Sequence, residues 1–125
     1  MRKAVTTDKA PAPIGPYSQA IVEGDLLFLA GQGPIDPATG ATDHGDIASQ
    51  TRRTLDNIRA ILEAAGSSLD KVIRCNVYLK DIADFAAMNA VYARAFAAPY
   101  PARTTIQAGA LPGGIAVEIE CVARR

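Results

Sequence analysis

Apolar positions recur at three- and four-residue spacing through 46–65. Ile47, Thr51, Leu55, Ile58 and Leu62 form one stripe, and Arg52, Arg53, Asp56, Arg59 and Glu63 fill the opposite side. That period predicts a helix, capped by Asp46 and stopped at Gly66-Ser67-Ser68. A second stripe, Phe85, Met88, Tyr92 and Phe96, predicts a helix over 84–97 that ends before Pro99 and Pro101. Elsewhere the period is two. Ile73, Cys75, Val77 and Leu79 alternate with Arg74, Asn76 and Tyr78 in a strand over 72–79. Val117, Ile119, Cys121 and Ala123 alternate with Glu118 and Glu120 over 117–123. Thr104, Ile106 and Ala108 alternate with Arg103, Thr105 and Gln107 over 103–108. Near the N-terminus, 18–23 and 26–30 read as a hairpin turning at Gly24-Asp25. The run Leu26-Leu27-Phe28-Leu29-Ala30 is apolar without alternation, so both of its faces should be covered. A short strand near 3–6 leads into an extended loop carrying Pro11, Pro13 and Pro16, and 31–45 is a long Gly-, Pro- and Asp-rich loop.

The resulting order, β-β-β-α-β-α-β-β, predicts one α+β domain over 1–125, a sandwich with two helices on one face of a mixed β-sheet. The apolar sets of the last two strands should face the helices, leaving Arg103, Thr105, Glu118 and Glu120 on the far face. Two helices cannot cover both faces, yet 26–30 calls for cover on both. Copies of the chain packing by their far faces satisfy this and leave polar pockets between subunits. A monomer with a solvated far face is the alternative.

Composition narrows the function classes. Of 125 residues, 49% are hydrophobic and 21% charged, which excludes a disordered chain. No apolar run approaches the roughly 20 residues that span a bilayer. Two early cations without an apolar run behind them do not make a secretory signal, so a cytoplasmic protein is expected. Thirteen cations balance thirteen anions, and no global field favours nucleic acid or an anionic membrane. Cys75 and Cys121 sit in apolar alternations and are expected as buried free thiols rather than a disulfide. With His44 as the single histidine, a zinc site and a Ser-His-Asp machine lack their parts. Any chemistry must come from carboxylates, Arg, Tyr, hydroxyls and backbone groups.

Gly31-Gln32-Gly33-Pro34-Ile35-Asp36 lacks a third glycine and runs into proline where a phosphate-binding helix should begin, so it is no nucleotide loop. Gly31 would still let a ligand approach the backbone closely. Arg103, expected on the uncovered face, suits bidentate capture of a small carboxylate. Glu118, expected half-buried at an interface, suits a general base for water. A structural ion pair, or two solvated side chains, is the alternative for these two. Tyr17 lies at the mouth of a strand, as a pocket residue or an aromatic plug. Asn89 lies just off the apolar stripe of its helix, as a pocket residue or a surface amide.

Several segments in order resemble the Rid (YjgF) family of enamine/imine deaminases. They are Ile14-Gly15-Pro16-Tyr17-Ser18-Gln19-Ala20, Ala30-Gly31-Gln32-Gly33-Pro34, Asn57-Ile58-Arg59-Ala60-Ile61-Leu62, Asp84-Phe85-Ala86-Ala87-Met88-Asn89, Val91-Tyr92, Pro101-Ala102-Arg103-Thr104-Thr105 and Val117-Glu118-Ile119-Glu120. The resemblance implies a chorismate-mutase-like fold assembled as a homotrimer, with sites between subunits. It implies cofactor-independent hydrolysis of 2-iminopropanoate and 2-iminobutanoate to 2-keto acids and ammonia. The imines would be supplied by pyridoxal-phosphate dehydratases acting on serine or threonine. By the same resemblance Arg103 would hold the substrate carboxylate and Glu118 would position and deprotonate water. Thr105, where many relatives carry cysteine, would act through its backbone carbonyl. Gly31 would offer its N–H, and Tyr17 and Asn89 would line the pocket. A non-catalytic ligand-binding or interaction protein of the same fold (a sensor, a chaperone-like protein or a translation-inhibiting ribonuclease) is the competing expectation.

Overall fold

The computed structural model describes residues 1–125. Helix α1 spans Ile47–Ala64, and the Asp46 side chain accepts from the Ser49 N–H as its cap. Gly66 takes φ +79° just beyond the end, a conformation that costs glycine little. Helix α2 spans Phe85–Ala95 after a single tight turn at Ile82–Asp84. The strands are β1 (Lys3–Val5), β2 (Ala20–Glu23), β3 (Leu26–Gln32), β4 (Val72–Leu79), β5 (Ala102–Gln107) and β6 (Val117–Arg124). They form one six-stranded sheet in the order β1-β2-β3-β6-β4-β5. Only β4 and β5 run parallel, and α2 supplies the crossover between them. Glu23 pairs with Leu26 across the Gly24-Asp25 turn, so the predicted hairpin forms.

Both helices cover one face. Leu55, Ile58, Ile61 and Leu62 of α1 and Met88 and Tyr92 of α2 pack on Leu27, Leu29, Cys75, Val77, Val117, Ile119, Cys121 and Ala123. These core residues are nearly all solvent-free, and their burial is the main drive to fold. Cys75 and Cys121 are buried free thiols and face each other across β4 and β6. No helix is long and apolar enough to cross a membrane.

Three expectations change. The first concerns β5. Its register places Arg103 beside Cys75 and Thr105 beside Val77, so Arg103 and Thr105 share the helix face, while Thr104 and Ile106 point to the far face. Ile106 is 48% exposed. The strand lies at the sheet edge, where helix aromatics stack on the Arg103 guanidinium and draw it to the helix side. Second, the pairing of β4 with β6 shifts between Val72 and Arg74, which turns Ile73 outward. Third, 26–30 is not covered on both faces within one chain. Leu27 and Leu29 are buried, whereas Leu26 and Phe28 are exposed on the far face. Glu118 and Glu120 do lie on that far face, as predicted.

Candidate active site

The expected site residues fall into two groups on opposite faces of the sheet. On the far face, Glu118 of β6 lies against Gly31 of β3. A Cβ on Gly31 would stand 2.6 Å from Glu118 Oε2 and 2.9 Å from Cδ, so the carboxylate occupies space that only glycine leaves open. The ladder between β3 and β6 is irregular between Leu29 and Gln32, which lets the Gly31 backbone approach there. Burial, and then the charge of Glu120, push the Glu118 carboxyl above its ordinary value. Tyr17 flanks this group, sharing a narrow cavity of about 50 Å³ with Gly31 and Gly33. Its hydroxyl accepts from the Ile14 N–H at 3.2 Å.

Two buried amides hold this half in place. Gln19 Nε2 donates to the carbonyls of Thr7, Ala10 and Pro11, and its Oε1 accepts from the Thr7 N–H at 2.8 Å. The proline-rich segment before Tyr17 is thereby tied to the sheet. Asn57 of α1 is solvent-free and donates to the Gly33 and Ile35 carbonyls at 3.0 and 2.8 Å. It pins the chain just after Gly31. Periodicity alone does not single out either residue; the only sequence signal is their presence in the family-like segments.

The second group gathers at the edge of the helix face. The Arg103 guanidinium stacks 4.7 Å from the Tyr92 ring centroid and 5.5 Å from that of Phe85. Such cation–π contacts hold a planar cation without neutralising it. Arg103 has no carboxylate partner; the ion pairs of the chain are Met1–Glu23 and Arg59–Asp56. Arg103, Asn89, Tyr92, Ala93, Tyr100 and Pro101 line a cavity of about 380 Å³. Asn89 Oδ1 and Thr105 Oγ1 are buried without hydrogen-bond partners, as are Thr51 Oγ1 and Thr54 Oγ1 of α1. Asn89 lines this cavity and is half-buried.

The structure thus joins Glu118, Gly31 and Tyr17, and separately joins Arg103 and Asn89, with Thr105 following Arg103 on the same face of β5. It does not bring Arg103 to Glu118 within a chain, where the two lie on opposite faces of the sheet and form no ion pair. Cys75 lies beside Arg103, but neither thiol is exposed. Burial pushes both Cys75 and Cys121 up, leaving them protonated and unreactive. No three His, Cys, Asp or Glu side chains converge as metal ligands.

The chain as a whole has close counterparts. The family model described as Endoribonuclease L-PSP matches residues 7–125. A RutC family protein of Pyrococcus horikoshii is 55% identical over 123 residues, 98% of either chain. The 2-iminobutanoate/2-iminopropanoate deaminase of Escherichia coli K12 is 41% identical over 128 aligned residues, covering 100% of this chain and 99% of that one. The crystal structure of RidA from an Antarctic Psychrobacter superposes with a TM-score of 0.95 at 43% identity, over 98% of this chain and 99% of that one. With fold and sequence in agreement, the chain belongs to the Endoribonuclease L-PSP family, the Rid (YjgF) proteins.

Proposed function

We propose that this protein is a cytoplasmic enamine/imine deaminase that hydrolyses short 2-imino acids, 2-iminopropanoate and 2-iminobutanoate, to 2-keto acids and ammonia. It works as a homotrimer whose sheets pack by their far faces, with sites between copies. The observation that carries the proposal is the division of the site into two incomplete halves. A cation with free donors stands on one face of the sheet and a carboxylate with raised proton affinity on the other. Each half lacks what the other holds, and a second copy can supply it. The exposed Leu26, Phe28 and Ile106 on the far face support such packing, because burying them against another copy removes apolar surface from water. The E. coli relative, named for this activity, supports the choice of reaction.

In this reading Arg103 grips the substrate carboxylate through two parallel N–H donors. The anchor turns the electrophilic imine carbon toward Glu118, and orientation does most of the work because that carbon already accepts nucleophiles. Glu118 takes a proton from water as its oxygen bonds to the imine carbon. It returns that proton to nitrogen to complete the carbinolamine, then carries the hydroxyl proton to the amino group as the C=O bond forms, the carbon–nitrogen bond breaks, and ammonia leaves the keto acid. Water is the only co-reactant. The Gly31 N–H and the Thr105 carbonyl would orient the imine and the water, and Asn89 and Tyr17 would close the pocket. The imines would arise from pyridoxal-phosphate enzymes that dehydrate serine or threonine.

The test couples the protein to a threonine or serine dehydratase and follows keto-acid release where spontaneous hydrolysis is slow. Acceleration is expected, with at least a tenfold loss of kcat/KM in Arg103→Ala at unchanged assembly. Removing one partner of a buried charged hydrogen bond costs about 2–5 kcal/mol. No acceleration with either amino acid would overturn the proposal and favour a ligand-binding protein on the same fold. Sedimentation equilibrium should give three copies, and a monomer would remove the shared site.

A further inference from the structure

The far face carries a second carboxylate for which the proposed reaction has no use. Glu118 and Glu120 occupy alternate positions of β6, so both point the same way, roughly 7 Å apart along the strand. Tyr78 of β4 stands directly opposite Glu118 in register, yet its hydroxyl donates diagonally to Glu120 Oε1. The hydrogen bond to Glu120, then burial, hold the phenol proton on Tyr78, raising its pKa, so the hydroxyl stays a donor. Glu120 is thereby kept beside Glu118 and does not swing into solvent. Neither carboxylate has a Lys or Arg within ion-pairing distance.

The other groups around Glu118 do not offset this charge within the chain. On the β3 side it meets Gly31, with Tyr17 next to that glycine. On the β4 side it meets Tyr78, Asn76 stands opposite Glu120, and Arg74, next along that face, donates to the Thr104 hydroxyl and forms no ion pair with Glu120. Lys80 follows the end of β4, where its N–H donates to the Ala116 carbonyl. In the proposed assembly the neighbouring copy adds its Arg103 on the substrate side.

We propose that Glu120, clamped by Tyr78, is a positioning residue: a fixed negative charge that makes Glu118 a stronger proton acceptor for the attacking water. The inference rests on the deaminase reading and deepens it. A carboxylate of ordinary affinity is a weak base near neutrality, and a catalytic base works best when its affinity approaches the operating pH. Burial and the Glu120 charge both act on Glu118 in that direction. A purely structural tie between β4 and β6 would affect stability and leave the proton affinity of Glu118 unchanged.

The experiment compares wild type, Glu120→Gln and Tyr78→Phe in two readouts. One is the acidic limb of the pH profile of kcat/KM. The other is the titration midpoint of the Glu118 carboxyl carbon by NMR, taken without substrate. Glu120→Gln should move both down by roughly half to one pH unit, the size of a unit charge at this distance in a half-buried setting. Tyr78→Phe should move both the same way by less, since it frees the Glu120 charge without removing it. Unmoved midpoints in folded variants, even with lowered stability, would overturn the proposal and leave a structural tie. If Glu120→Gln does not assemble, Tyr78→Phe decides alone. Absence of turnover in wild type would sink the deaminase reading, and the carboxyl midpoint would still settle whether Glu120 acts on Glu118.

Discussion

Replacing Gly31 with alanine separates the geometry at the proposed base from the stability of the fold. The added Cβ would lie 2.6 Å from Glu118 Oε2, whereas ordinary contact begins at 3.4 Å. The carboxylate must therefore retreat by roughly 0.8 Å, and a displacement near 1 Å at a reacting group costs up to about a hundredfold in rate. The backbone raises no objection, since Gly31 is not among the glycines at positive φ. Alanine at such a position restricts the unfolded chain and stabilises by about 0.4–1 kcal/mol. The two effects have opposite signs. The expected result is a loss of about tenfold to a hundredfold in kcat/KM, with a melting temperature equal to or above that of wild type. Coupled keto-acid release and scanning calorimetry measure the pair, and sedimentation confirms the assembly. Undiminished kcat/KM in Gly31→Ala would refute the reasoning, because the position of the Glu118 carboxylate would then not matter to the reaction.

Other outcomes follow from the same contacts. Arg103→Lys should fail to restore activity, because an ammonium loses both the bidentate grip and the stacking on Tyr92 and Phe85; wild-type kcat/KM would contradict this. Glu118 is held above its ordinary value, so the native state favours its protonated form, and that preference is lost as pH rises through the folded-state value. Glu118→Gln should therefore lose activity yet melt no lower than wild type near pH 8, with any gain vanishing near pH 4, as thermal scans at about these two pH values would reveal. Asn57→Ala should cost roughly 1–3 kcal/mol in chemical unfolding, because it strips the Gly33 and Ile35 carbonyls of their shared donor. Phe28→Asp places a charge on the exposed far face and should yield folded monomers by sedimentation and circular dichroism, while an unchanged oligomer would move the interface elsewhere.

Local chemistry determined the elements of this chain. Asp46 and Gly66 delimit α1 because a cap and a left-handed glycine act on their own few residues. The alternation of Val117, Ile119, Cys121 and Ala123 against Glu118 and Glu120 assigned the faces of β6, since a central strand buries one whole face. The α+β class and the identity of Arg103, Glu118, Gly31, Tyr17, Asn89 and Thr105 as candidates were likewise legible, the last four mainly through family-like segments. Tertiary structure decided the rest. The run Arg103-Thr104-Thr105-Ile106 fits either orientation, and only the parallel register with β4 and the aromatic rings of α2 turned Arg103 to the helix side. Ile73 left its predicted face because an irregularity in strand pairing is a property of two strands together. Gln19 and Asn57 became clamps, and Tyr78 a diagonal partner of Glu120, through contacts between residues far apart in sequence. The separation of Arg103 from Glu118 across the sheet is of the same kind. Side-chain alternation is local and the chain encodes it directly, whereas register and close approach depend on how distant segments pack, and those decide which charges can meet.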